Sequence, residues 1–229
     1  MPRRICLPTA GFLLLAGFLA AVALSACRPS VPGPGNVIVL CAGDSLTEGG
    51  YPRYLRRLLE KGGVRARVLN YGRSGNTSGE YLSFLERAGR RLAAEKPDFI
   101  LLQLGTNDVR IDGDRTGAAE FERNMRRIIK MFKGFRSRRG RAPRIFLALV
   151  PPVPPGVAYP FADESSVRVE AEINPLLLRL AGELGLDLVD NFTLFTEEPK
   201  LLPDVHPTPE GYRRLAVSWH AALKPHLPR

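Results

Sequence analysis

A chain of 229 residues with 45% hydrophobic and 24% charged residues is long enough for one well-cored domain and too short for two comfortable ones. Three cysteines exclude a disulfide-built scaffold. The formal charge of +10 is strongly basic, but the densest cluster, Arg136, Arg138, Arg139 and Arg141, has no aromatic residues interleaved, which argues against a nucleic-acid partner.

At the start of the chain, Arg3 and Arg4 precede an apolar stretch over residues 10–24, followed by Leu24-Ser25-Ala26-Cys27. The stretch is short and rich in small residues for a membrane span. This segment resembles a bacterial lipoprotein signal. The resemblance implies cleavage before Cys27, acylation of Cys27, and an exported protein anchored to a membrane and facing the periplasm or the cell exterior. Multiple acyl chains on one residue anchor stably where a single chain does not. The expected organisation is therefore a signal at 1–26, a lipidated Cys and Pro/Gly tether at 27–36, and one domain at 37–229. Loss of Arg3 and Arg4 lowers the formal charge only to +8. The basic residues between 123 and 144 then have two readings, attraction to anionic lipid headgroups or a solvated helix end and loop. Of the cysteines, Cys6 falls in the leader and Cys41 in an apolar run, where a small core hydrophobe is expected.

From residue 37 the pattern alternates short β-rich runs with longer runs of helical period. Residues 37–41 read as a buried strand that ends in Gly43-Asp44-Ser45-Leu46. A helix carrying Tyr51, Leu55, Leu58 and Leu59 follows and stops at Gly62-Gly63. A more polar edge strand is expected at 65–70, then a glycine-rich loop at 71–79 and a helix with Leu82, Leu85 and Leu92 on one face. Residues 99–104 are almost continuously apolar, as in a central strand covered on both sides, and end in Gly105-Thr106-Asn107-Asp108. Phe121, Met125, Ile128, Ile129, Phe132 and Phe135 form an amphipathic stripe. A fourth strand at 145–150 runs into Pro151-Pro152-Val153-Pro154-Pro155, which cannot continue a ladder. With Tyr159, Pro160 and Phe161, that loop is a candidate wall of a site. Ile173, Leu177, Leu180 and Leu184 mark a helix that Pro175 bends or restarts. A short strand at 186–189 precedes a last helix opened by Thr208-Pro209-Glu210. Five strands alternating with helices predict an α/β domain with a doubly wound, mostly parallel five-stranded sheet.

A serine hydroxyl needs a neighbouring base to become a nucleophile. Of three histidines, His220 and His226 lie on or just after the last helix, leaving His206 in Leu202-Pro203-Asp204-Val205-His206-Pro207 as the candidate base. Asp204 is near enough in sequence to orient its ring. Charge that builds on an attacked carbonyl needs fixed donors, for which the backbone N–H groups of Ser45 and Gly75 and the amide of Asn107 are candidates.

These blocks resemble, in order and spacing, those of the SGNH hydrolases, the GDSL esterase/lipase family. The likeness runs from about residue 37 to 225: Gly43-Asp44-Ser45-Leu46, Asn70-Tyr71-Gly72-Arg73-Ser74-Gly75-Asn76-Thr77-Ser78, Gly105-Thr106-Asn107-Asp108 and Asp204-Val205-His206-Pro207. It implies the flavodoxin-like SGNH fold and an acyl-ester hydrolase without metal or cofactor. Ser45 would be the nucleophile, His206 the base, and Ser45, Gly75 and Asn107 the oxyanion donors. Ser-Gly-Asn-Thr-Ser is most similar to the bacterial thioesterase/lysophospholipase branch, which implies lysophospholipid or short acyl esters as substrate. The alternative is removal of acetyl groups from a cell-envelope carbohydrate. The family's acid usually stands three residues before the histidine, where this chain has Pro203, so either Asp204 or a backbone carbonyl orients His206. A remote alternative is a non-catalytic flavin- or phosphate-binding module, because Ser74-Gly75-Asn76-Thr77 is reminiscent of a phosphate loop.

Overall fold

The computed structural model describes residues 36–228; the leader, Cys27 and all of the tether but Asn36 lie outside them. Five strands form one sheet: β1 (Val37–Gly43), β2 (Ala66–Gly72), β3 (Phe99–Gln103), β4 (Arg144–Ala148) and β5 (Asp187–Val189). Their order is β2-β1-β3-β4-β5 and every pairing is parallel. Apolar side chains alternate between its two faces, so both must be covered.

Leu40, Ala42, Ile100, Leu102, Ile145 and Leu147 face one core. It is closed by α3 (Ser78–Ala94), α4 (Ala118–Lys133) and α6 (Asn174–Leu184), through Leu85, Phe121, Ile128, Phe132, Leu177 and Leu180. Val39, Cys41, Leu101, Phe146 and Ala148 face the other core. There α2 (Tyr51–Lys61) and α8 (Pro209–Leu223) pack together, with Tyr51 stacked on Trp219 at 5.8 Å between ring centres. Cys41 is fully buried, and burial pushes its thiol up to about 12. The buried residues of both cores lie between Val37 and Leu223, so the chain from residue 28 onward contains the whole fold.

The predicted strands and their central and edge placements hold, with ends displaced by one or two residues. Two short helices escaped the pattern: α5 (Asp163–Arg168) and α7 (Asn191–Glu197). The latter is held by a local cap, Asp190 accepting the Thr193 N–H at 2.9 Å. Of the two expectations for Pro175, the restart holds. It stands in the first turn of α6, after a π-type turn over Val169–Ile173, where its missing N–H costs little.

The strand order reverses about β1, with β2 on one side and β3 on the other. In a parallel sheet the crevice beyond the carboxyl ends at such a point is where ligands bind. The turns that follow β1, β2 and β3 therefore share one rim.

Candidate active site

Ser45 is set by the turn that leaves β1. A Cβ on Gly43 would lie 2.3 Å from the Gln103 carbonyl oxygen, so only glycine lets the strand end pass this close to β3. Asp44 then caps the one-turn helix α1 (Ser45–Glu48), its Oδ1 accepting the Leu46 N–H at 3.0 Å. That leaves Ser45 at the first helical position, partly exposed. Asp44 itself is fully buried. Burial pushes its carboxyl up to about 7, against the Leu46 hydrogen bond and with the charge of Asp108 adding to the rise.

His206 arrives from the opposite end of the sequence. Thr208 caps α8 by accepting the Gly211 N–H at 3.1 Å, and its own N–H donates to the Leu201 carbonyl at 2.9 Å. The Arg213 guanidinium lies over the Tyr54 ring at 5.4 Å, so the first turn of α8 sits beside the first turn of α2, and the loop just before α8 carries His206 to Ser45. His206 Nε2 stands 3.0 Å from Ser45 Oγ. Asp204 Oδ1 lies 3.4 Å from His206 Nδ1 and accepts the His206 backbone N–H. This two-residue turn explains how an acid one position closer than the family pattern still reaches the ring. Both side chains are half in solvent, 51% for His206 and 59% for Asp204.

The second and third polar turns are bonded to each other and to the first. Glu48 Oε2 accepts the Ser74 N–H at 2.9 Å, and hydrogen bonds from Ser74 hold its carboxyl below the usual range. Gly75 has φ +77 and open space where a Cβ would be, so its backbone is accessible from the rim. Asn107 Nδ2 donates to the Asn76 carbonyl at 3.0 Å, which leaves its second amide hydrogen available.

Behind Asn107 the turn is pinned on two sides. Asp108 accepts the Ser78 N–H at 3.0 Å and the Ser78 hydroxyl at 2.6 Å. Burial pushes the Asp108 carboxyl up, opposed by those Ser78 hydrogen bonds. From α5, the buried Arg168 donates to the carbonyls of Asp108 at 2.9 Å and Thr116 at 2.6 Å. Sequence reasoning missed Asp108, Glu48 and Arg168 in these supporting places. Glu48 and Asp108 stand beside blocks it did identify, but nothing in the sequence marked Arg168.

The loop expected as a wall does meet the rim: the Ile111 N–H, four residues past Asn107, donates to the Pro160 carbonyl at 2.9 Å, and Tyr159 is exposed. His220 is half-buried on α8 and His226 lies against Phe146 at 5.8 Å, with no contact to Ser45. The loop likened to a phosphate cradle follows β2, and its helix terminus is already filled. Thr77 caps α3 in a capping box in which Glu80 accepts the Thr77 N–H at 2.8 Å, so a carboxylate stands where an anion would bind.

Residues 41–214 match the GDSL-like lipase/acylhydrolase family. The chain belongs to this family. Among relatives of the GDSL-family chain, an acetylxylan esterase of Xylanibacter ruminicola is 28% identical over 224 residues, covering 85% of this chain and 45% of that protein. The chain thus spans about half the length of that curated relative. Two solved structures share the GDSL fold. An acetylxylan esterase from Geobacillus stearothermophilus has a TM-score of 0.65 at 23% identity, covering 82% of this chain and 94% of the other. A lipase/acylhydrolase from Enterococcus faecalis has a TM-score of 0.66 at 20% identity, covering 84% and 97%.

Proposed function

We propose that this GDSL-family chain is a serine esterase that removes small acyl groups, acetyl above all, from a carbohydrate. The observation that carries the reading is the 3.0 Å approach of His206 Nε2 to Ser45 Oγ on the rim that also holds Gly75 and Asn107. His206 takes the Ser45 proton as Oγ bonds to the acyl carbon, and the carbonyl π electrons move to oxygen. The Ser45 and Gly75 N–H groups and the free Asn107 amide hydrogen meet the oxyanion. Its collapse breaks the bond to the alcohol, which leaves with the proton from His206. Water, deprotonated by the same ring, then releases the acid and restores Ser45. Asp204 holds the ring by its local turn.

Two relatives bearing the name acetylxylan esterase, one by sequence and one by fold, support the acetyl group and the carbohydrate alcohol. The test is hydrolysis of p-nitrophenyl esters from acetyl to long acyl, then of acetylated xylo-oligosaccharide and lysophospholipid, by the chain from residue 28 and its Ser45→Ala variant. Acetyl preference that vanishes in the variant is expected. Turnover that survives Ser45→Ala refutes the nucleophile, and preference for lysophospholipid refutes the substrate.

The lipoprotein reading belongs to the same proposal: Leu24-Ser25-Ala26-Cys27 after an apolar stretch supports acylation of Cys27 and an exported, membrane-held enzyme. Cys27→Ser is expected to release the protein from the membrane fraction. Unchanged partition refutes it.

A further inference from the structure

The parallel sheet gives the domain two chemically different ends. The serine and its oxyanion turns follow β1, β2 and β3, so the site lies at the carboxyl end. Segments that precede strands collect at the other end, where Val37 N–H donates to the Arg65 carbonyl, Asp98 N–H to the Ile38 carbonyl and Arg144 N–H to the Asp98 carbonyl.

This amino end is cationic. Arg65 precedes β2, Lys96 precedes β3, Arg138, Arg139 and Arg141 precede β4, and Lys224 follows α8; all six are exposed. The arginine loop is a built turn, with the Ser137 N–H on the Arg141 carbonyl at 2.8 Å and the Gly140 N–H on the Ser137 carbonyl at 2.9 Å. Arg138 also donates to the Asn36 carbonyl. Carboxylates of this end are engaged within the protein. Asp98 accepts the Ile38 N–H, Glu95 is bound to Arg67 and Tyr71, and Asp187 holds Arg144. A cavity of about 660 Å³ lies at this end, lined by Asn36, Asp98, Phe99, Arg138, Arg139 and His226.

We propose that the amino end is a docking surface for anionic phospholipid, and that a docked domain presents its catalytic rim away from that bilayer. The chain enters the domain at this same end, at Asn36, so the surface that meets lipid and the point of attachment coincide. Seven residues of β1 at about 3.3 Å each hold Ser45 some 20 Å beyond the cationic surface, more than a Debye length at about 0.1 M salt. The substrate of a docked enzyme is then an ester standing off the bilayer, as on a carbohydrate. That last step rests on the proposed serine site; the docking itself does not.

The test uses the chain from residue 28, in three forms: unaltered, with Arg139, Arg141 and Lys224 all changed to Gln, and with Arg115→Gln at the catalytic end. Co-sedimentation is measured with vesicles of phosphatidylcholine alone or mixed with phosphatidylglycerol, and p-nitrophenyl acetate turnover is followed in the same tubes. Binding is expected only with phosphatidylglycerol. At about five-fold in partition per basic residue near the surface, the triple variant should bind roughly a hundred-fold more weakly with unchanged melting temperature, and Arg115→Gln should bind as the unaltered chain does. Bound protein should keep its turnover, and Ser45→Ala should bind normally, which separates a failure of docking from a failure of the esterase reading. Equal binding to neutral vesicles, a triple variant that still binds, or turnover blocked on the vesicle overturns the proposal. Equally tight binding of duplex DNA would reassign the surface to nucleic acid and also overturn it.

Discussion

Asp204→Asn isolates the charge of the carboxylate while leaving a side-chain oxygen to accept the His206 N–H and keep the turn. In the proposed mechanism His206 becomes cationic, and the Asp204 charge 3.4 Å away would stabilise it. At that distance Coulomb attraction is worth about 1 kcal/mol in water and about 5 kcal/mol at an effective dielectric of about 20. With both side chains more than half exposed, the lower end applies after screening. A loss of about 1–2 kcal/mol, roughly 5- to 30-fold in kcat/KM for p-nitrophenyl acetate, is expected. A buried acid in a serine–histidine–acid arrangement is instead worth about 10⁴-fold. The gap between variant and parent should narrow between 0.1 and 1 M salt, as the Debye length falls from about 10 to about 3 Å. A thousand-fold loss insensitive to salt would refute the exposed-pair reasoning. No loss at all would mean that a backbone carbonyl orients the ring.

Asn107→Ala is expected to lower kcat about 10²- to 10³-fold with little change in KM; a kcat within a few-fold of the parent removes the amide from the oxyanion site. Asp44→Asn tests the buried carboxyl through the pH dependence of urea midpoints. Between the unfolded value of 3.8 and the folded value of about 7, the unfolded chain has released a proton that the native state still holds. Stability should therefore fall as pH rises through this window, by up to about 4 kcal/mol, and then level off. The variant should lack that fall; identical slopes would show that Asp44 does not hold a proton there. Arg168→Met leaves the Asp108 and Thr116 carbonyls without their charged donor and should cost about 2–4 kcal/mol in urea unfolding. It should also slow turnover by loosening the Asn107 turn, and an unchanged midpoint refutes the clip.

The layout of the sheet was legible because β1, β3 and β4 are short apolar runs bounded by turn residues, and the more polar β2 lies at an edge. Ser45, Gly75, Asn107 and His206 stood out for a related reason: reactive or polar residues at strand ends in glycine-rich turns have few structural uses. The supports could not be read the same way. Arg168 acts across a separation of sixty residues from Asp108, and its sequence neighbours are those of any helix end. Glu48 looks like an ordinary first-turn acid until β2 places Ser74 beside it. The short helix α7 carries too few apolar positions for periodicity to register. The departure at Pro203 was visible, but the Asp204 turn that compensates for it depends on a carboxylate folding back on a backbone N–H two residues later.

Cys41 gives the domain an internal clock. With the chain cut before Cys27 and the Cys27 thiol acylated, as proposed, Cys41 would be the single free thiol. Fully enclosed between β1 and the α2–α8 layer and held protonated at neutral pH, it is shielded from alkylating reagents while the sheet is closed. Its rate of modification therefore reports how often β1 opens. Because β1 ends at the turn that carries Ser45, the same trace reports the openings that would displace the proposed nucleophile.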